Sequence, residues 1–153
     1  MLKSAVFPYG VTLRESGSVD IFPVAEVSFL NKDGDLLSLF LLIDSGATIS
    51  VLPATDAAVF GLNPKNNFPT KTYGVGSDPI SGYRHEIKVR MGDNDLIIPV
   101  VFLNDYNGPR ILGREGIFDK FLIIFDEIKQ KTGVISDNSR EEREIRKIMD
   151  KIK

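Results

Sequence analysis

Residues 39–53 read LFLLIDSGATISVLP, and the placement of Asp44 in this stretch decides how the rest of the chain is read. A run of large apolar residues, Leu39 to Ile43, leads straight into the aspartate, and Ser45, Gly46 and Ala47 follow at once. Such a run bounded by turn residues reads as a strand. A carboxylate set against it loses hydration unless hydrogen bonds or a nearby charge compensate. Gly46 lets the backbone turn tightly and come close to a ligand, and Ala47 leaves room. By itself, Asp44-Ser45-Gly46 also suits an ordinary strand-to-turn junction, in which aspartate and glycine merely make the turn. The flanking sequence discriminates between the two.

Upstream, IFPVAEVSFL (21–30), NKDGD (31–35) and LLSLFLLI (36–43) form an apolar run, a turn signal and a second apolar run. Asp33-Gly34 would reverse a hairpin whose second strand delivers Asp44. Downstream, LPATDAAVFGL (52–62) predicts a short helix ended by Gly61. The polar stretch 63–84, rich in Gly, Pro, Asn and Ser, predicts an exposed loop or flexible hairpin. EIKVRM (86–91), the turn GDND (92–95) and LIIPVVFL (96–103) predict another hairpin, in which Pro99 argues for an edge or a bulge. Gly113 to Lys120 suits a short helix and FLIIFDE (121–127) a buried strand. In the last segment Ser139 and Glu142 have capping-box spacing ahead of Ile145, Ile148, Met149 and Ile152, which share one helical stripe.

With 153 residues the chain has the size of one domain. Its 42% hydrophobic and 26% charged residues and net charge of −2 are those of a soluble globular protein. That balance offers no basic excess for nucleic acid or an anionic membrane. The absence of cysteine removes disulfides, thiolate metal sites and cysteine nucleophiles, and one histidine cannot build a metal cluster alone. No apolar run approaches the roughly 18 residues of a membrane span, and the broken N-terminal stretch MLKSAVFPYGV is too short for a signal sequence. A cytoplasmic protein is the expectation.

Three motifs in order, LLIDSGATISVLP, TYGVGSDPISGY (72–83) and ILGREGIFDKF (111–121), give the chain its resemblance to the retropepsin-like aspartic proteases, over most of residues 20 to 127. The resemblance implies an all-β, closed β-barrel lobe of the acid-protease type with short helices, occupying residues 1–135. The C-terminal amphipathic helix, 136–153, would be an extension. It further implies a homodimer, because the chain has one Asp-Ser-Gly and such catalysis needs two carboxylates sharing a proton. Asp44, Ser45 and Gly46 would then be the catalytic loop of an aspartic endopeptidase acting on peptide or protein substrates, a mechanism that implies no metal or organic cofactor. Gly74, Val75 and Gly76 would be the tip of a flap, where small residues let backbone amides approach the scissile peptide. Leu42, Ala47, Val51, Ile80 and Ile111 would line apolar subsites. Thr48, Gly113 and Arg114 would support the site structurally. Retroviral members pair the arginine with an aspartate shortly after the catalytic loop, but this sequence has Thr48 there, so the partner of Arg114 is open. The competing reading is a non-catalytic dimerisation or peptide-binding module of the same fold.

The remaining polar residues suit ordinary roles. His85 is expected on the surface or half-buried rather than in catalysis. Asp93 and Asp95 fit a solvated hairpin turn, since calcium would need more oxygen ligands at regular spacing. The C-terminal apolar stripe suits a helix docked on its own domain, with contact to a second copy or partner as the alternative.

Overall fold

The computed structural model describes residues 1–74 and 78–152. The hairpin that delivers Asp44 consists of β4 (Val24–Leu30) and β5 (Leu36–Ile43), in register from Val24↔Leu42 to Leu30↔Leu36. Its turn forms because Asn31 Oδ1 accepts from the amides of Asp33 at 2.9 Å and Asp35 at 2.8 Å, while Gly34 takes φ +88°, a conformation glycine adopts without Cβ strain. Three short strands precede this hairpin: β1 (Ala5–Pro8), β2 (Gly10–Leu13) and β3 (Val19–Phe22). After it come β6 (Ser50–Pro53), β7 (Pro69–Thr72), β8 (Ile80–Met91), β9 (Asn94–Leu103), β10 (Ile111–Leu112), β11 (Phe121–Asp126) and β12 (Lys131–Ser136). One α-helix, α1 (Arg140–Met149), follows.

Among the described residues these strands make three sheets: β4-β5-β10-β6-β9-β8-β7, β1-β12-β11, and the ribbon β2-β3. The all-β expectation therefore holds. The largest sheet also curls back on itself, since β4 meets β8 through Val27↔Met91 and Ser28↔Arg90. Inside the curl lie Ala25, Val27, Leu41, Leu52, Met91, Ile98, Val100, Phe102, Leu112 and Ile117, all nearly or wholly buried. Each large side chain of this set contributes about 1.5–3 kcal/mol by leaving water. Phe60 stacks on Phe29 with ring centroids 4.1 Å apart, closing the core beneath the hairpin. No helix among the described residues is long and apolar enough to cross a membrane.

Some local expectations hold and others change. The short helix expected after β6 is present as a 3-10 helix over Ala54–Ala58, and Gly61 at φ +71° ends its turns as expected. Gly113 to Lys120 makes helical hydrogen bonds, such as Phe118 N–H to Arg114 O at 2.8 Å, but Gly116 at φ +81° prevents a continuous helix. Of the two readings of the polar stretch 63–84, exposed loop or hairpin, the hairpin holds: β7 pairs antiparallel with the start of β8 from Pro69↔Tyr83 to Thr72↔Ile80. Pro99 lies in an interior strand, yet β6 joins β9 only from Val100 onward, leaving one flank of β9 without a strand partner at the proline. The strand β11 is only partly buried, because it is the outer strand of its sheet and exposes Ile124 and Phe125. His85 is buried rather than superficial; its Nε2 lies 2.8 Å from Pro64 O and its ring stands edge-on to Phe102.

The C-terminal helix begins as its capping residues predict, with Glu142 N–H donating to Ser139 Oγ at 3.0 Å. Its apolar stripe differs from the expectation of a docked face. Ile148, Met149 and Ile152 are 60%, 55% and 73% exposed.

Candidate active site

Where β5 ends, three segments meet. Leu42 and Ile43 pair in parallel with Ile111 and Leu112 of β10, and Asp44 N–H donates to Leu112 O at 3.1 Å. The chain then reverses: Ala47 N–H reaches back to Asp44 O at 3.2 Å, and Gly46 N–H donates to Asp44 Oδ1 at 2.8 Å. Asp44 is half-buried, with Ser45 and Gly46 exposed beside it. One carboxylate oxygen is thus oriented by the loop's own backbone.

The loop 44–50 is held from below by the segment that follows β10. Gly113 N–H donates to the fully buried Ser50 Oγ at 3.0 Å, Arg114 N–H to Ala47 O at 3.0 Å, and Glu115 N–H to Thr48 O at 2.8 Å. The Arg114 guanidinium donates to Thr48 Oγ1 at 3.3 Å, so the hydroxyl of Thr48 is its partner here. Gly113 has no space for a side chain, because a Cβ would stand 2.5 Å from Ile49 O and 2.8 Å from Ser50 N.

Above the loop opens a cleft of about 850 Å³, within the range of ligand sites. Of the residues expected at the site, Asp44, Gly46, Ala47, Thr48, Val51, Gly74, Ile80 and Ile111 line it. Leu42 and Ser45 do not; Leu42 is half-buried in β5, its amide donating to Arg110 O at 2.8 Å. Gly113 and Arg114 lie behind the loop rather than in the cleft wall. Val75 and Gly76 lie outside the described residues.

Sequence reasoning missed part of the wall. Val101 and Leu103 line the cleft and pack with Val51, Ile111 and Tyr106 in a small apolar cluster apart from the main core. The signal was available: the run VVFL shows no alternation, so both faces of that strand are covered, one by the core and one by this cluster. Burial pushes the Tyr106 phenol pKa up, and its hydroxyl donates to Pro109 O at 2.7 Å. Arg84 of β8 and Glu115 form a bidentate pair across the cleft, at 3.2 and 2.5 Å. Hydrogen bonding to Glu115 raises the Arg84 pKa, although burial opposes it. The pair connects the strand after Gly74 to the segment under the Asp44 loop. Among the described residues no cluster of three or more His, Asp or Glu side chains is placed to hold a metal ion.

No family model matches the sequence, and no curated protein matches it. Solved structures do. The crystal structure of a retropepsin-like aspartic protease from Rickettsia conorii superposes with a TM-score of 0.55 at 16% identity, covering 88% of this chain and 96% of that one. EIAV protease complexed with the inhibitor HBY-793 matches with a TM-score of 0.45 at 20% identity, covering 64% of this chain and 86% of that one. The fold is retropepsin-like.

Proposed function

We propose that the chain is an aspartic endopeptidase that acts as a homodimer, with residues 1–135 as the protease domain and 136–153 as an extension. The observation that carries this reading is Asp44 itself: an apolar strand delivers a half-buried carboxylate to an 850 Å³ cleft, and Gly46 N–H orients one of its oxygens. A lone carboxylate is a poor catalyst of peptide hydrolysis. Two facing copies, sharing one proton, provide a base and an acid together.

In this mechanism the ionised Asp44 of one copy takes a proton from a water whose oxygen attacks the scissile carbonyl carbon. The protonated Asp44 of the other copy donates to the carbonyl oxygen, giving a tetrahedral gem-diol. Proton transfer to the amide nitrogen then lets the C–N bond break, releasing a carboxylic acid and an amine. Ser45, exposed beside Asp44, is available to hydrogen-bond across the two-fold axis. Val51, Ile80, Val101, Leu103 and Ile111 give the cleft walls that favour apolar side chains next to the cut bond.

The test is cleavage of a diverse peptide library by wild type and Asp44→Asn, from acidic to neutral pH, read by mass spectrometry with dimer content measured in the same buffers. Cleavage between apolar residues by wild type alone is expected. Equal cleavage by the variant would refute the assignment. Silence from both proteins as intact dimers would favour the non-catalytic binding module.

A further inference from the structure

The cleft wall along β8 is apolar at one end and charged at the other. Ile80, Gly82 and Arg84 lie two apart on this strand and share a face, on which Thr72 stands opposite Ile80 and Thr70 opposite Gly82. On the other side of β8, Gly82 and Arg84 are opposite Leu103 and Val101, which also line the cleft. Past these apolar side chains the wall ends in the Arg84 guanidinium and its Glu115 partner.

Arg84 uses only part of its donor capacity on Glu115. Its Nη1 and Nη2 donate to the two carboxylate oxygens at 3.2 and 2.5 Å, which occupies one edge of the guanidinium. The second edge, formed by Nε–H and the outer hydrogen of Nη2, has no acceptor among the described residues. Two parallel donors of this kind match a carboxylate. Both partners face solvent, with 45% of the Arg84 side chain and 42% of the Glu115 side chain exposed. The charge around them favours an anion: apart from Asp44, the cleft is lined by Lys71, Arg84 and Glu115, two cations against one anion. Strand alternation sends Lys71, which pairs with Ser81, to the opposite face from Arg84, so Lys71 adds to the field and not to the docking.

The pair is close to the carboxylate that would do the chemistry. Ala47 N–H donates to Asp44 O at 3.2 Å, closing a turn whose ends lie within about 7 Å. Thr48 is one peptide further, about 3.8 Å. Glu115 N–H then donates to Thr48 O at 2.8 Å. An extended peptide covers the resulting distance of about 11 Å in roughly three residues.

We propose that Arg84 is a specificity-determining residue, whose open edge receives an acidic side chain of the substrate at the second or third position from the cut bond. This rests on the protease reading for the cut itself and specifies the substrate class: peptides with apolar residues at the cut and Glu or Asp a short way along. Glu115 holds the guanidinium in place and, as a second carboxylate on it, limits how tightly the substrate acid binds.

The test reads binding without catalysis. Fluorescent peptides with an apolar centre and Glu, Gln or Lys at the second and third positions on either side are titrated by anisotropy into the Asp44→Asn protein. Glu is expected to bind about five- to tenfold more tightly than Gln, and Lys more weakly than Gln. A pair this exposed adds little to stability, so either partner can be exchanged without unfolding the domain. Arg84→Gln is expected to abolish the preference for Glu, and Glu115→Gln to enlarge it. A pair that only braced the wall would instead weaken all peptides alike in both variants, and that result would overturn the proposal. So would equal binding of Glu and Gln, a preference for Lys, or no binding of any peptide. The same peptides are then offered to the protein with Asp44 intact. A Glu preference in binding without any cleavage condemns the protease reading alone, and cleavage indifferent to Glu condemns the role of Arg84 alone.

Discussion

Gly113 lies directly beneath the peptide bond between Ile49 and Ser50, and its hydrogen atom occupies the space where any other residue would place a carbon. A methyl group there would come within 2.5 Å of Ile49 O, and the obstructing atoms are backbone rather than a movable side chain. Gly113→Ala is therefore expected to cost about 2–3 kcal/mol or more by overpacking. It should also loosen the loop from Asp44 to Ser50, so that peptide cleavage falls further than stability. Urea unfolding beside an activity assay measures both, and a variant as stable as wild type would contradict the packing.

Arg110 forms a bidentate pair with Asp56 at 2.6 and 2.9 Å, joining the turn after the loop to the start of β10. Asp56 is nearly buried while Arg110 keeps 41% of its side chain in solvent. Hydrogen bonding to Asp56 raises the Arg110 pKa, with burial opposing. Arg110→Ala strands a buried carboxylate, whereas Asp56→Ala leaves a guanidinium that water can reach. The expected losses are about 2–3 and about 1–2 kcal/mol respectively, below the value for a fully buried pair. Thermal unfolding of both variants checks the order; the reverse order would overturn it.

Thr132 is wholly buried in β12, and its Oγ1 has no hydrogen-bond partner among the described residues. Valine has nearly the same shape without the hydroxyl. Thr132→Val is expected to stabilise the protein by about 1 kcal/mol, by removing a desolvated polar group. A lower melting temperature would mean that the hydroxyl is satisfied after all.

The hydrogen bond from Arg90 holds the Asp95 carboxyl below its ordinary pKa; burial opposes this and the Arg90 charge reinforces it. A depressed pKa gives stability that is present above the ordinary carboxylate value and is lost as pH falls through the depressed one. In Arg90→Gln the Asp95 titration is expected to move up. Carbon NMR of the carboxyl through the acid range in both proteins measures the shift, and identical midpoints would show that the pair does not form in solution.

Much of the site was legible because its residues are consecutive. Asp44 to Thr48 follow an apolar run, and Ile111 to Arg114 carry their own glycine, so order and spacing were enough to place them near one another. The 3-10 geometry of the helix at Ala54 and the interrupted helix at Gly116 were not legible, since backbone angles there are set by the close approach of other segments. Gly116 in particular borders Pro99, a residue of a distant strand. Leu42 illustrates a second limit. Its neighbours in the sequence suggested the cleft, but strand alternation and pairing with β10 place it beside the cleft rather than in it. Exposure of the C-terminal stripe was beyond sequence altogether, because amphipathic spacing names the face and not what covers it.

The pairing of β1 with β12 bears on when this protein can finish folding. Ser136 N–H donates to Ser4 Oγ across 132 residues of sequence, and Asn94 grips both the amide and the carbonyl of Lys3 at 2.7 and 2.8 Å. The hairpins β4–β5 and β8–β9 are local and can form as they leave the ribosome. The terminal sheet cannot, since β1 must wait for a strand synthesised long after it. Loops of that length close slowly and late. A chain still attached to the ribosome can thus have the hairpin that delivers Asp44 while lacking both the segment that holds its loop and the terminal sheet. Completion of the fold is deferred until synthesis has passed β12, so the two ends of the chain close the domain last.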